Sequence, residues 1–338
     1  MRWLEQHWYR ISPLHLVLWP LSVLFTALAA LRRLLYRTGV LAVTRMPVPV
    51  IVVGNISVGG TGKTPLVIWL AQLLRERGYH PGVVCRGYGG SARGPQRATI
   101  DSDPSVVGDE AALLARRCAC PVWVGAQRAA AAHALLATHP ECNVVISDDG
   151  LQHYALARDV EIAVIDGERG FGNGMLLPAG PLREPRRRLA SFDALVVNGT
   201  ALFLRETLPS DVPPFDMTLR GKTFYDLLNP AQQAGPEHFA RQRVHVVAAI
   251  GNPHHFFNHL QQLGLSFTEH PFPDHHAFHA SDLAFAGSDA VLMTEKDAVK
   301  CEQFNSGIFW ALQVDAEVDL ALSELILRKL GRQITNGS

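Results

Sequence analysis

Gly54–Pro65 reads GNISVGGTGKTP and follows VPVIVV at Val48–Val53, a run of apolar β-formers. A strand that ends in a glycine-rich turn and hands over to a helix gathers backbone N–H groups around an oxyanion, beside the positive end of the helix dipole. Ser57, Val58, Gly59, Gly60, Thr61, Gly62, Lys63 and Thr64 are therefore expected to form a loop that binds nucleotide phosphates. In such a loop Lys63 reaches the β and γ phosphates and the Thr64 hydroxyl ligates Mg²⁺. Pro65 falls in the first helical turn, where its missing N–H costs nothing. The pattern GxxxxGK[ST] is met except at its first position, where Ser57 replaces glycine.

Outward from this loop, strand and helix patterns alternate. Leu66, Val67, Leu70, Leu73 and Leu74 recur at helical spacing up to Gly78. Strands are expected at Gly82–Cys85, Val122–Val124, Asn143–Ser147, Ile162–Asp166 and Ala194–Asn198, with helices at Glu110–Arg117 and Arg128–Thr138. Continuous apolar strands separated by helices imply an α/β fold, a mostly parallel P-loop-type sheet covered by helices on both faces. Pro-rich and polar text at Leu208–Pro214 and Asn229–Glu237 precedes a second, shorter alternation through VHVVAAIG, AVLMTEK and IFWALQV to a helix at Leu320–Leu330. The expected organisation is a membrane-associated helix at 1–37, a P-loop core at 38–220 and a smaller α/β lobe at 221–338, with a cleft between the lobes.

NVVISDDG, Asn143–Gly150, is an apolar strand ending in Asp148 and Asp149. Carboxylates there hold Mg²⁺ directly or through water in P-loop enzymes, although paired acids after a strand also serve as turns or helix caps. The spacing does not decide which of the two touches the metal. Asp109, in VVGDEAALL, opens a helix; on position alone it reads as an N-cap before it reads as the carboxylate that takes an acceptor's proton. His275, His276 and His279 in DHHAFH match no common zinc spacing.

Lys plus Arg and Asp plus Glu both number 31 among 338 residues, so bulk charge gives no argument for a nucleic-acid partner. Five cysteines without a zinc or disulfide spacing fit a reducing compartment. The N-terminus departs from this soluble average. Leu14–Leu31 is almost wholly apolar and leads to Arg32, Arg33 and Arg37. It is slightly short for a spanning helix and carries Pro20, and the basic text after it does not suit signal-peptide cleavage. A helix lying in the membrane interface fits best, with Trp3, Trp8 and Trp19 at headgroup depth; packing on the protein's own core is the alternative.

Several separated motifs together resemble the tetraacyldisaccharide 4′-kinases, the lipid A 4′-kinases of Gram-negative bacteria. They are VGNISVGGTGKTP, CRGYGG at Cys85–Gly90, VGDE at Val107–Glu110, VGAQR at Val124–Arg128, SDDGLQH at Ser147–His153, FGNGMLLPAGPLREP at Phe171–Pro185, AIGNPHHFF at Ala249–Phe257, FPDHHAF at Phe272–Phe278 and MTEKDAVK at Met293–Lys300. The resemblance spans essentially the whole chain, and Ser57 occurs in that family's own version of the loop. It implies transfer of the ATP γ-phosphate to the 4′-hydroxyl of a tetraacylated glucosamine disaccharide 1-phosphate, with Mg²⁺ as cofactor, on the cytoplasmic face of the inner membrane and without an obligate protein partner. Lys63 and Thr64 match the loop lysine and the metal-ligating threonine. Asp109 matches the acceptor base and His275 its partner; Asp148 and Asp149 match the metal-side acids, Asp149 also counted among the catalytic groups. Glu184 is grouped with the metal ligands, and Arg128 and Arg183 with residues facing the substrate.

A lipid held in the bilayer by four acyl chains makes sense of the apolar N-terminus. The arginines of REPRRR, Arg183 and Arg186–Arg188, suit the substrate's 1-phosphate or the membrane, or else a solvated helix start. TEKDAVK stands where a second lobe closes over nucleotide. The rival reading is a membrane-associated nucleotide switch acting through a protein partner. Against it, TEKD at Thr294–Asp297 does not match the base-reading N/T-K-x-D motif of GTPases, and Val58 stands where dimerising ATPases of the KGGxGK[ST] type carry a second lysine.

Overall fold

The computed structural model describes residues 7–9, 13–199, 202–285, 287–304 and 307–336. Helix α1 (Leu14–Arg37) precedes β1 (Val50–Gly54) and α2 (Lys63–Glu76). There follow β2 (Pro81–Cys85), β3 (Gln96–Ala98), α3 (Pro104–Val107), α4 (Asp109–Arg117), β4 (Val122–Val124), α5 (Arg128–Thr138), β5 (Val144–Asp148), β6 (Val160–Asp166), β7 (Ala194–Asn198), α6 (Leu202–Arg205) and β8 (Pro214–Arg220). The chain then adds β9 (Phe224–Asp226), β10 (Gln233–Ala234), β11 (Val244–Ala248), α7 (Pro253–Gln262), β12 (Thr268–Pro271), β13 (Ala290–Thr294), α8 (Glu295–Cys301), β14 (Phe309–Leu312), β15 (Asp315–Val318) and α9 (Leu320–Asn336).

Nine strands form the larger sheet in the order β15-β8-β7-β6-β1-β5-β2-β4-β3. Its seven inner strands run parallel, and only the edges β15 and β3 are antiparallel. Strands so placed are buried on both faces, which is why β1, β2, β5 and β7 read as unbroken apolar runs rather than alternations. One face packs Ile51, Val53, Ile146 and Val164 against α2, α4 and α9. The other packs Val50, Val52, Val145 and Ile165 against α5 and the 171–192 segment. The P-loop-type α/β sheet covered on both faces is thus observed.

The smaller sheet runs β10-β9-β14-β13-β11-β12, its last four strands parallel. The boundary near Gly221 falls where the chain leaves β8 for β9, but the second lobe does not run to the C-terminus. β15 returns to pair with β8, and Leu322, Leu325, Ile326 and Leu330 of α9 pack on the larger sheet. The alternating exposure of the four-residue β15 gives too weak a signal to reveal this return. The chain therefore crosses between the lobes twice.

Helix α1 continues through Pro20 and beyond the apolar run to Arg37. Its 24 residues span about 36 Å at 1.5 Å per residue, and its most apolar stretch has a mean hydropathy of 2.0. It is long and apolar enough to cross a membrane. His15 and Ser22 face inward, where Ser22 Oγ donates to the Leu176 carbonyl at 2.7 Å. Leu16, Val17, Trp19, Leu21, Leu24, Leu28, Leu31 and Leu34 are exposed. The alternative of a helix buried in the protein core is not what the fold shows. Trp8 is a correction: it is buried, and its indole N–H donates to the Pro178 carbonyl at 2.9 Å. Trp3 lies outside the described residues.

Candidate active site

The turn after β1 is shaped by its neighbours. Gly62 has φ +90°, and a Cβ there would stand 2.7 Å from Asn198 Nδ2, so only glycine fits both the conformation and the approach. Asn198 in turn donates to the Thr61 carbonyl. None of the N–H groups of Gly59, Gly60, Thr61 and Gly62 donates to a backbone acceptor among the described residues. These amides, at the N-terminus of α2, form a ready anion cradle. Two placements in the loop differ from expectation. Ser57 needs no left-handed backbone and forms an isolated antiparallel bridge with Leu182, which is why serine is tolerated there. The Val58 N–H is spent on the Pro181 carbonyl at 2.8 Å, so this amide is not offered to phosphate.

Register places the acids next to the loop: Asp148 pairs with Val53 across β1 and β5. Asp148 is buried, with Oδ1 meeting no hydrogen-bond partner, and burial, aided by Glu110, pushes its carboxyl up to about 7 against the pull of Lys63. An unpartnered buried carboxylate oxygen beside the Lys63–Thr64 turn suits a divalent cation, so the donor set fits Mg²⁺. Asp149 behaves in the opposite way. Burial would raise it, but Lys63 Nζ at 3.6 Å and Arg183 Nη1 at 3.1 Å hold it down to about 2. Asp149 also has φ +47°, a left-handed conformation uncommon outside glycine.

The second lobe completes the cleft. Gly251, after β11, lies so close to the phosphate loop that a Cβ on it would be 3.3 Å from Gly60 N and 3.6 Å from Asp274 Oδ2. His275 follows, also left-handed at φ +59°, and its Nδ1 lies 3.0 and 3.2 Å from the two oxygens of Asp109. Lys296, from the first turn of α8, places Nζ 3.3 Å from Glu110, 3.5 Å from Asp274, 3.5 Å from His275 Nε2 and 3.9 Å from Asp109. Burial would raise the Asp109 carboxyl, yet the His275 hydrogen bond and Lys296 hold it below the usual carboxylate range. Burial would lower His275, yet its bond to Asp109 lifts it above the usual histidine range. Asp109 is thus kept ionised though buried, and Lys296 beside His275 Nε2 favours the tautomer that donates from Nδ1 to Asp109. Two of the three non-glycine residues with positive φ among the described residues, Asp149 and His275, lie in this cleft, where backbone strain tends to concentrate.

Three further expectations are corrected by burial. Arg128 is 2% exposed and donates to the Gly125 and Asp148 carbonyls, so it braces the end of β5 from behind rather than facing a substrate. Glu184 is 4% exposed and accepts from Gln152 Nε2 and Tyr154 Oη, with Arg188 Nε at 3.4 Å. Its carboxylate is saturated by protein donors, not free for a metal. Arg188 is buried against Glu161 and Glu184, whereas Arg186, over the Phe171 ring, and Arg187 are exposed, so of the REPRRR arginines only Arg188 is withdrawn from the surface. Lys296 carries no sequence signal for this cluster beyond the TEKDAVK run, and Tyr88, its ring 4.8 Å from that of His275, carries none beyond the CRGYGG turn.

A phosphate loop facing acids on the neighbouring strand end, under a second α/β lobe, is the arrangement of P-loop phosphotransferases, and the fold and cleft define that class. The family model described as tetraacyldisaccharide-1-P 4'-kinase matches residues 14–331. The chain belongs to that family. It is 51% identical over 335 residues to a tetraacyldisaccharide 4'-kinase of Methylobacillus flagellatus, covering 98% of this chain and 96% of the relative. It is 52% identical over 338 residues to one of Dechloromonas aromatica, covering 98% and 99%. Among solved structures, one described as an "apo" form LpxK from Aquifex aeolicus in complex with ATP superposes with a TM-score of 0.80 at 29% identity, covering 94% of this chain and 99% of that one. The chain is accordingly a lipid kinase of lipid A biosynthesis, and the switch reading is not favoured.

Proposed function

We propose that the cleft transfers the γ-phosphate of ATP to the 4′-hydroxyl of a tetraacylated glucosamine disaccharide 1-phosphate held in the cytoplasmic leaflet of the inner membrane. The amides of Gly59–Gly62 and the Lys63 ammonium bind the phosphates, and the Thr64 hydroxyl with Asp148 and Asp149 would hold Mg²⁺. When bound there, the ion would supply neutralisation of phosphate charge. The Asp109 carboxylate accepts the proton of the attacking hydroxyl, while His275 and Lys296 orient it. As the sugar oxygen bonds to phosphorus, the bond to the β-phosphate oxygen breaks and ADP departs with the electron pair. Arg183 keeps Asp149 ionised and faces the same cleft. Closure of the second lobe excludes water, which protects ATP from hydrolysis.

The observation that carries this reading is the buried, ionised Asp109 tied to His275 across the lobes. Its pairing with His275 and Lys296 keeps a buried carboxylate ionised, the state that a proton acceptor needs. The exposed leucines of α1 support a lipid surface as the place of work: an acyl chain costs about 0.8 kcal/mol per CH₂ to bring into water, so the cleft meets the substrate at the bilayer. The test is phosphate transfer in detergent micelles with acylated glucosamine disaccharide 1-phosphate as acceptor. Label on the 4′-oxygen, lost in Asp109→Asn with ATP affinity retained, is the expected result; ATP turnover indifferent to the lipid would overturn it.

A further inference from the structure

Arg169 belongs to none of the roles above, yet its guanidinium stands against Gly59 of the phosphate loop. Its backbone is fixed by a compact turn: Asp166 Oδ1 accepts from the N–H groups of Glu168 and Arg169, both at 3.0 Å, and the Gly170 N–H donates to the Asp166 carbonyl. The side chain then reaches over the loop. Nη1 lies 3.2 Å from where a Cβ on Gly59 would stand, and Nη2 donates to the Gly251 carbonyl of the second lobe at 3.3 Å. Gly59, at φ +108°, is the residue whose lack of a side chain lets the guanidinium come so close. No carboxylate among the described residues is within ion-pair distance of Arg169. A half-buried guanidinium has five donors; one carbonyl and the face of the Tyr9 ring, 5.8 Å from Cζ, do not satisfy them. An anion is the partner its chemistry lacks.

The strand order supplies the direction. β1 lies between β5 and β6, so Lys63, Asp148 and Asp149 gather on the β5 side of the loop and Arg169 approaches from the β6 side. Resting on the phosphate-loop reading, we propose that Arg169 is a further catalytic residue, its guanidinium contacting the terminal phosphate of bound ATP and stabilising the charge that develops as the phosphoryl group passes from ADP to the sugar oxygen. The bonds formed and broken are those of the proposed transfer. The acceptor proton goes to Asp109, and Arg169 stays protonated throughout. Because Nη2 is held by the Gly251 carbonyl, the guanidinium is in place only when the second lobe is closed, which ties the chemical step to closure.

The test compares wild type, Arg169→Ala, Arg169→Lys and Lys63→Ala as full-length proteins in detergent. Calorimetry reads affinity for ADP, for ATP and for ADP with fluoroaluminate, and single-turnover transfer reads the rate. In Arg169→Ala the transfer rate is expected to fall by about 10²–10³-fold, since an arginine of this kind is worth that much or more. ADP affinity should stay within about twofold while ADP–fluoroaluminate affinity falls about tenfold or more. Arg169→Lys should recover part of the loss, the charge without the fork. A wild-type rate in Arg169→Ala, or an equal loss of affinity for ADP and for ADP–fluoroaluminate, overturns the proposal. If Lys63→Ala binds every nucleotide as wild type does, the phosphate-loop reading itself falls, and this proposal with it.

Discussion

Replacing Arg117 by methionine strips the guanidinium from a buried pair that joins the lobes. Arg117 ends α4, the helix that Asp109 begins, and its Nη1 lies 2.5 Å from both oxygens of Glu295, the residue before Lys296. Glu295 is 6% exposed, and its other partner is the Val314 N–H at 3.0 Å. Removing one member of a buried ion pair costs about 3–5 kcal/mol, against about 0–1 for an exposed pair. With an unfolding entropy of about 2.1 cal/mol/K per residue, a chain of this length has about 0.7 kcal/mol/K, so Tm should fall by about 4–7 °C. Burial already holds the Glu295 carboxyl above its ordinary value of 4.5 despite Arg117. An acid whose folded pKa is raised loses stability as pH rises and regains it as pH falls through that value. The deficit of Arg117→Met is therefore expected to be larger in alkaline than in mildly acidic buffer, and Arg117→Met/Glu295→Met should recover most of it. Thermal unfolding of the full-length protein in detergent, followed by tryptophan fluorescence at two pH values, measures all three. A single variant within about 1 kcal/mol of wild type at both pH values, as for a surface pair, would refute the reasoning, as would a double variant no better than the single.

The Asp109–His275 pair should show its own pH window. The depressed Asp109 contributes above its unfolded value of 3.8 and loses that contribution as pH falls through its folded value; the raised His275 contributes fully below 6.5 and loses it as pH rises. His275→Ala is thus expected to lose more Tm, relative to wild type, in mildly acidic than in alkaline buffer, and equal losses would count against the pair. Asp148, pushed up to about 7, should release up to about one proton when Mg²⁺·ATP binds below neutrality. Calorimetry in buffers of different ionisation enthalpy reads that proton, which Asp148→Asn should abolish. Finally, Leu24→Glu with Leu28→Glu, both on the exposed face of α1, should cut co-sedimentation with anionic vesicles by about tenfold or more, each charge being costly in hydrocarbon; unchanged sedimentation would place the contact elsewhere.

What the sequence made legible was local. β1, the glycine turn and α2 are consecutive, and each carries its own signal, as do the acids closing β5. Asp109 and His275 stand 166 residues apart in sequence, so their contact is set by α4 and the loop after β12; no periodicity announces it, and only the resemblance paired them. The resemblance assigned Arg128 and Glu184 to the cleft, and Arg188 fell in a basic run that suits a surface; only the fold shows Arg128 on carbonyls and Glu184 beside Arg188 underneath. Arg169 lay in DGERG, outside every recognisable pattern, since its importance comes from the proximity of Gly59 and not from its neighbours in sequence.

The segment from Asn173 to Glu184 touches two things at once. At one end Asn173 meets His15, and Leu176 accepts from Ser22 of α1; at the other, Pro181 accepts from Val58 while Ile56 accepts from Arg183. Twelve residues of chain thus act as a caliper between the greasy rod and the nucleotide cradle. If the rod seats in lipid as proposed, these hydrogen bonds would set the height of the terminal phosphate above the acyl region, and an acceptor hydroxyl lying too deep or too shallow would be refused by altitude before any side chain inspects it.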